Sequence, residues 1–368
     1  MANRSSTIIG PGSLRFGLAA LVVVHHSFPL RMGLWAVYVF FILSGYWIST
    51  MWDHKYRLTR WPVMTFYVSR WWRLAPVFLF CTLLALACTD MRPPGNSSPF
   101  IWFTRQILVV GSLSAGNLLP PAWSLDVEAQ FYLIAPGLFW LMRKRRIDVI
   151  GIGILMSFLA FLYFAYWPPQ PAPWQLRFVL APYLGFFLTG VAIHRWSWQP
   201  SNRLAIGSVA GFLAATALLL LLPSTRGGIW TPGVSAPDMW WHQLWAGAGA
   251  LLITPFIALN VRSPSDLWDR LLGNWAYPLY LFHWLPRQWY YRNVNWAAAW
   301  WDSCALLMMN FAIALAGSFI ILWFLDRPLD RLRARWVNGR TLSPSKDSLA
   351  RESRAPGSVA GALKLPQP

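Results

Sequence analysis

Two kinds of ionisable side chain interrupt the first apolar stretch of the chain, and their spacing sets the chemistry to look for. From Ser13 to Phe28 the sequence reads SLRFGLAALVVVHHSF, with Leu18 to Val24 wholly apolar, Arg15 before them and His25 and His26 after. A charge on a hydrophobic spanning helix is costly, so it marks a functional site with a partner to be named. On a helix Arg15 and His26 stand roughly 16 Å apart along the axis, about half the thickness of a bilayer core. Their separation is close to three whole turns, which puts both on one face, whereas His25 is rotated about 100° from His26. One helix then carries a cation for an anionic ligand at one end. At the other it carries an imidazole for general-base or nucleophilic work.

Four further clusters stand out. Arg70-Trp-Trp-Arg73 puts two guanidinium forks on one helix face, which suits a phosphate; an interfacial anchor explains the pair equally well. Trp123-Ser-Leu-Asp-Val-Glu128-Ala-Gln-Phe-Tyr132 opens with Asp126, favoured in a first helical turn, and sets Glu128 deeper with Tyr132 one turn on. A buried carboxylate needs a partner. For Glu128 that is either an ion pair between helices or a histidine or hydroxyl that it orients or deprotonates. Ser44-Gly45-Tyr46 first suggests close helix packing. Gly273-Asn-Trp-Ala-Tyr277-Pro-Leu-Tyr280-Leu-Phe-His283-Trp284 holds a histidine flanked by tyrosines able to hydrogen-bond it, though a lone histidine of this kind is more often structural. Cys81, Cys88 and Cys304 lack metal-ligand spacing, so three buried thiols are expected, with no disulfide framework and no metal.

The elements that must position these groups are membrane spans. Of 368 residues 56% are hydrophobic and 12% charged, about half the charge of a soluble domain. This is the composition of an all-α integral membrane protein with several spans. The net charge of +18 is explained by topology signals between apolar spans rather than by nucleic acid. No cleavable signal peptide is evident. Windows of about 20 apolar residues give about ten transmembrane helices, near 14–30, 33–52, 74–91, 123–142, 147–167, 177–195, 203–222, 240–260, 271–290 and 303–325. With the N-terminus inside, 23 Lys and Arg fall on the cytoplasmic side and 7 outside, with Arg15 in a span. That imbalance sets both termini in the cytoplasm. Phe100–Leu119, interrupted by Arg105, Gly111, Gly116 and Asn117, is expected not to cross, but to be re-entrant or interfacial. Residues 1–330 form one membrane domain and 331–368 a basic cytoplasmic tail, disordered from Val337 on. Depth counting places His26, Glu128 and His283 in the middle or outer half of the bilayer, and Arg15, Arg70 and Arg73 at the inner face.

The chain resembles the membrane-bound acyltransferase-3 family of polysaccharide O-acyltransferases. The resemblance rests on GSLRFGLAALVVVHH, VYVFFILSGYWI, FYVSRWWRLAP, WSLDVEAQFYLIAP, LGNWAYPLYLFHW and a closing Asp326-Arg-Pro-Leu, in family order over about residues 12 to 330. Departures are Tyr46 for the commoner Phe, Asp126 for Ser, Ala129 for a second Glu and Asp326 for Glu. The Ala129 change puts any role for a glutamate pair in doubt. The resemblance implies a multi-pass enzyme of the bacterial inner membrane that moves an acyl group, acetyl above all, from cytoplasmic acyl-CoA to a hydroxyl of a cell-envelope glycan or lipid-linked saccharide. It binds no permanent cofactor, and its other partners are membrane lipids. In that reading His26 is general base or transient acyl carrier, Glu128 orients it, His283 assists, and Arg15, Arg70 and Arg73 grip the CoA phosphates. No relay through an appended esterase-like domain is expected. A small acceptor, such as a macrolide or lipo-oligosaccharide, is the nearest alternative. A secondary transporter is the alternative of another class, although no inverted repeat is found.

Overall fold

A computed structural model describes residues 9–88, 98–109, 118–142, 147–166, 179–230, 236–293 and 300–342. Among them the ordered elements are helices: α1 Pro11–Ser27, α2 Gly33–His54, α3 Pro62–Cys88, α4 Pro99–Ile107, α5 Trp123–Leu141, α6 Ile147–Tyr166, α7 Leu184–Arg195, α8 Asn202–Leu221, α9 Pro223–Arg226, α10 Ala236–Leu252, α11 Thr254–Asn260, α12 Leu267–Phe282, α13 Trp284–Asn293, α14 Trp300–Ile321 and α15 Arg327–Asn338. Proline sets many of their limits. Pro11 starts α1, where its fixed φ suits the first turn. Pro255 and Pro286 remove backbone donors in the first turns of α11 and α13, which bends α10–α11 by 47° and breaks α12 from α13 at His283.

The packing is organised around α1 and α2, and the close crossings are made by glycine. A Cβ on Gly45 would strike the carbonyl of Phe187, and one on Gly190 would strike the carbonyl of Ile42. In a membrane there is no hydrophobic drive between helices, so backbone approach of this kind does the holding. Ser44-Gly45-Tyr46 is therefore a packing element, as its small residues suggest. Tyr38, Phe41, Phe186, Phe187 and Phe131 stack beside this crossing. Against its other side α1 lies on α12, where Gly12 meets the backbone of Asp269 and Gly273 meets Gly12 and Arg15.

Each expected span coincides with a helix or a bent helix pair, but the dimensions differ. Among the described residues four helices are long and apolar enough to cross a membrane, or five with α10–α11 as one span. The chain has the apolar helices of a membrane protein. Where a span was expected over 177–195, α7 covers only Leu184–Arg195, and it packs closely on α2. The third helix begins at Pro62, not near residue 74, because its first turns bury Thr65, Phe66 and Ser69 against the protein. Arg70 and Arg73 consequently stand inside a helix. The expectation of three buried thiols is corrected: Cys81 is buried, Cys304 is half-buried and Cys88 is exposed at the end of α3. In Phe100–Leu119, α4 is nine residues long, too short to span, and it buries Trp102 and Gln106 while exposing Phe100. Residues 110–117, the Arg143–Arg146 run and the tail from 343 lie outside the described residues. Between 331 and 342 the chain is helix followed by a bridge of Thr341 to Thr59.

Candidate active site

Three helices of the central packing, joined by α3 and α5, enclose a cavity of about 200 Å³ lined by Arg15, Arg70, Arg73, Ser44, Glu128, Tyr132, Tyr277 and Tyr280. Arginines that the sequence scatters over α1 and α3 thus meet in one space. Glu128 joins them there rather than standing with the histidines, as depth counting had it. Its Oε1 accepts hydrogen bonds from Ser44 Oγ at 2.5 Å and Tyr132 OH at 2.7 Å. These two bonds, and the nearby guanidinium groups, give a buried carboxylate the partners it requires. Apolar residues of α2 from Val37 to Ile48 line the same cavity, so it extends roughly 16 Å along that helix.

The three arginines are not equivalent. Arg73 donates through Nη1 to both oxygens of Asp326, at 2.8 and 3.0 Å, and lies over the ring of Tyr277. Arg70 donates to Tyr56 OH at 2.5 Å. Arg15 sits against Gly273, where a Cβ would collide with its guanidinium, and its Nε meets no hydrogen-bond partner among the described residues. Arg15 and Arg70 are therefore freer to receive an anion than Arg73, whose fork already holds a carboxylate.

At the far end of α1 the two histidines part company. The ring of His26 stacks on His283 at 5.3 Å and 18°, with Trp284 edge-on at 5.1 Å. His25 turns the other way, toward Gly33 and a parallel ring of His242 at 6.0 Å. Arg15 and His26 both face α12, and His25 does not. His283 is buried; its Nδ1 lies 3.3 Å from the carbonyl of Leu279, and its Nε2 has no hydrogen-bond partner among the described residues. The tyrosines expected to bond it are engaged elsewhere: Tyr277 with the carbonyl of Leu74, Tyr280 with Ser124 and the carbonyl of Pro121. Tyr280 nonetheless links the two ends of the site, lining the cavity with its ring 6.3 Å from His283.

A basic cavity at one end of an axis and a stacked histidine pair at the other suit the transfer of a group from an anionic donor to a hydroxyl. The comparison with known families decides the matter. The family model of the acyltransferase domain matches residues 9–327. The chain belongs to that acyltransferase family. That membership favours group transfer over the transporter reading. The chain is 24% identical over 320 residues to a peptidoglycan O-acetyltransferase, OatA, of Listeria monocytogenes, covering 73% of this chain and 48% of that protein. It is 26% identical over 166 residues to the O-acetyltransferase OatA of Staphylococcus aureus, covering 40% and 28%. With the acyltransferase MdmB of Streptomyces mycarofaciens it shares 24% identity over 349 residues, 83% and 82% of the two chains. The chain thus spans about half, or less, of the two OatA proteins it matches. No solved structure matches it.

Two groups that position the candidate site escape a reading of motifs. Asp269 accepts from the amides of Gly12 and Ser13 at 3.0 and 2.7 Å and from the hydroxyls of Ser13 and Ser265 at 2.7 and 2.5 Å. It caps the N-terminus of α1 from another helix, satisfying donors that a helix leaves open. The local signal, Asp266 capping α12 through the amide of Asp269, announces α12 and not this second use. The second group is Tyr56 with Ser69 and Arg333, whose partners lie far apart in sequence.

Proposed function

We propose that the protein is an integral membrane O-acyltransferase that takes an acyl group, acetyl above all, from acyl-CoA at the cytoplasmic face and passes it to a hydroxyl of a cell-surface or exported glycan. Ten crossings with both termini inside give that orientation, through the 23 to 7 division of basic residues. The observation that carries the reading is the placement of Arg15 and His26 on one helix, both turned to α12, with Arg15 in the cavity and His26 stacked on His283. In this reading Arg15 and Arg70 hold donor phosphates by charged hydrogen bonds. The thiol arm extends along the apolar wall of α2 and Tyr280 toward the histidines.

His26 then takes the proton of the acceptor hydroxyl as its oxygen attacks the thioester carbonyl carbon. The C–S bond breaks, and CoA leaves as the thiolate, reprotonated from His26. His283 holds the imidazole by stacking. Glu128, bonded to Ser44 and Tyr132, balances the cationic cavity instead of touching His26. An acceptor glycan agrees with a relative named as a peptidoglycan O-acetyltransferase.

Mass spectrometry of envelope glycans from deletion and complemented strains tests the acceptor. Loss of O-acyl groups on deletion, restored by the wild-type gene and not by His26→Ala, is expected. Unchanged glycans from a strain whose membranes still consume acetyl-CoA would redirect the proposal to a small acceptor.

A further inference from the structure

One cavity arginine, Arg70, is held from outside the matched family region. Arg70 Nη2 donates to Tyr56 OH at 2.5 Å, and Tyr56 OH lies 2.9 Å from Ser69 Oγ. Ser69 Oγ in turn receives Arg333 Nη1 at 3.0 Å. Arg333 stands on α15, beyond the family match that ends at residue 327. Its other nitrogens are spent on Asp330, with Nε at 3.0 Å and Nη2 at 2.5 Å from Oδ1, so the guanidinium is fixed in direction. Tyr56 and Ser69 are 0% exposed and Arg333 is 7% exposed. A chain of buried, charge-assisted hydrogen bonds is rigid, since each unmade bond leaves a desolvated polar group.

Arg70 also lies over the ring of Tyr56 at 5.3 Å. A tyrosine whose hydroxyl is fixed by Ser69 presents both its oxygen and its face to Arg70 in one orientation. Without Arg333, Ser69 loses a donor and its hold on Tyr56 loosens, so the guanidinium of Arg70 gains freedom that an anion must remove on binding.

We infer that Arg333 is a positioning residue of the donor site, acting through Ser69 and Tyr56 to aim Arg70 at a phosphate of the acyl donor. The inference rests on the reading of Arg70 as a donor ligand. It makes the segment after residue 330 a working part of the enzyme.

The test is acetyl-CoA-dependent acyl transfer by membranes holding equal amounts of each full-length variant, with KM and kcat separated. Arg333→Ala is expected to raise the KM for acetyl-CoA about tenfold, the order of one charged hydrogen bond, at unchanged kcat. Arg333→Lys restores part of it, because charge returns without the fork. Ser69→Ala, which cuts the chain while leaving Arg333 on Asp330, should act the same way and carries the test if Arg333→Ala fails to accumulate. Arg70→Ala raises KM in its own right, and adding Arg333→Ala to it should change nothing further. If Arg70→Ala raises KM while Arg333→Ala or Ser69→Ala does not, the positioning role is overturned and the donor site stands. If Arg70→Ala leaves KM unchanged, the donor-site reading fails and takes the inference with it. A fall in kcat alone, with KM fixed, would also overturn it.

Discussion

His25 and His26 are adjacent and both partly buried, yet they are expected to behave as different residues. His26 shares a face with Arg15 and stacks on His283, whereas His25 packs on Gly33 and His242. Alanine at 26 should abolish acyl transfer with the protein still inserted and abundant. Alanine at 25 should leave substantial activity, because it removes a packing contact and no proton carrier. The acyl content of the acceptor in each strain, normalised to membrane abundance, decides. A dead His25→Ala beside an active His26→Ala would overturn the helical phase on which the site is built. That phase is legible in the sequence, since spacing alone separates the two rings. The partner of Glu128 is not. A carboxylate five residues into a helix has several neighbouring helices to choose from, and Ser44, a residue whose type suggested only packing, supplies the bond.

At the scale of elements, the position of α1 is fixed at both ends by other helices. Asp269 holds its N-terminus. At its C-terminus Arg287 donates to the carbonyl of His26 and Asn310 to Ser27 Oγ at 2.6 Å. Arg15 and His26 inherit their placement from these caps. Burial pushes the Asp269 carboxyl up, but the hydrogen bonds from Ser265, Ser13 and the amide of Gly12 outweigh it and hold it below its ordinary value. A carboxylate depressed on folding stabilises above its unfolded pKa of about 3.9 and loses that contribution as pH falls through the folded value. Asp269→Ala should therefore cost about 1.5–3 kcal/mol at neutral pH, read as thermal unfolding of the detergent-solubilised protein, with the gap to wild type closing below about pH 4. A gap that widened in acid would contradict the cap. Such ties between distant segments are what a sequence hides. Proline breaks, apolar windows and the glycine contacts of α2 follow from local composition. The early start of α3, whose first turns bury Thr65, Phe66 and Ser69, comes from tertiary burial.

For the whole molecule, the central claim is that one axis carries the donor at its arginine end and the acceptor at its histidine end, on opposite sides of the membrane. The most direct measurement gives radiolabelled acetyl-CoA to sealed inside-out vesicles carrying wild type, Arg70→Ala or His26→Ala, with right-side-out vesicles as the control. Wild-type inside-out vesicles should transfer the label to the acceptor and right-side-out vesicles should not, because added acetyl-CoA meets the cytoplasmic face only in the inside-out orientation. Arg70→Ala should lose transfer at low acetyl-CoA and regain it at high concentration, as expected for binding energy removed without loss of chemistry. His26→Ala should stay inactive at every concentration. Equal transfer in both vesicle orientations, or a His26→Ala variant rescued by acetyl-CoA as Arg70→Ala is, would contradict the account.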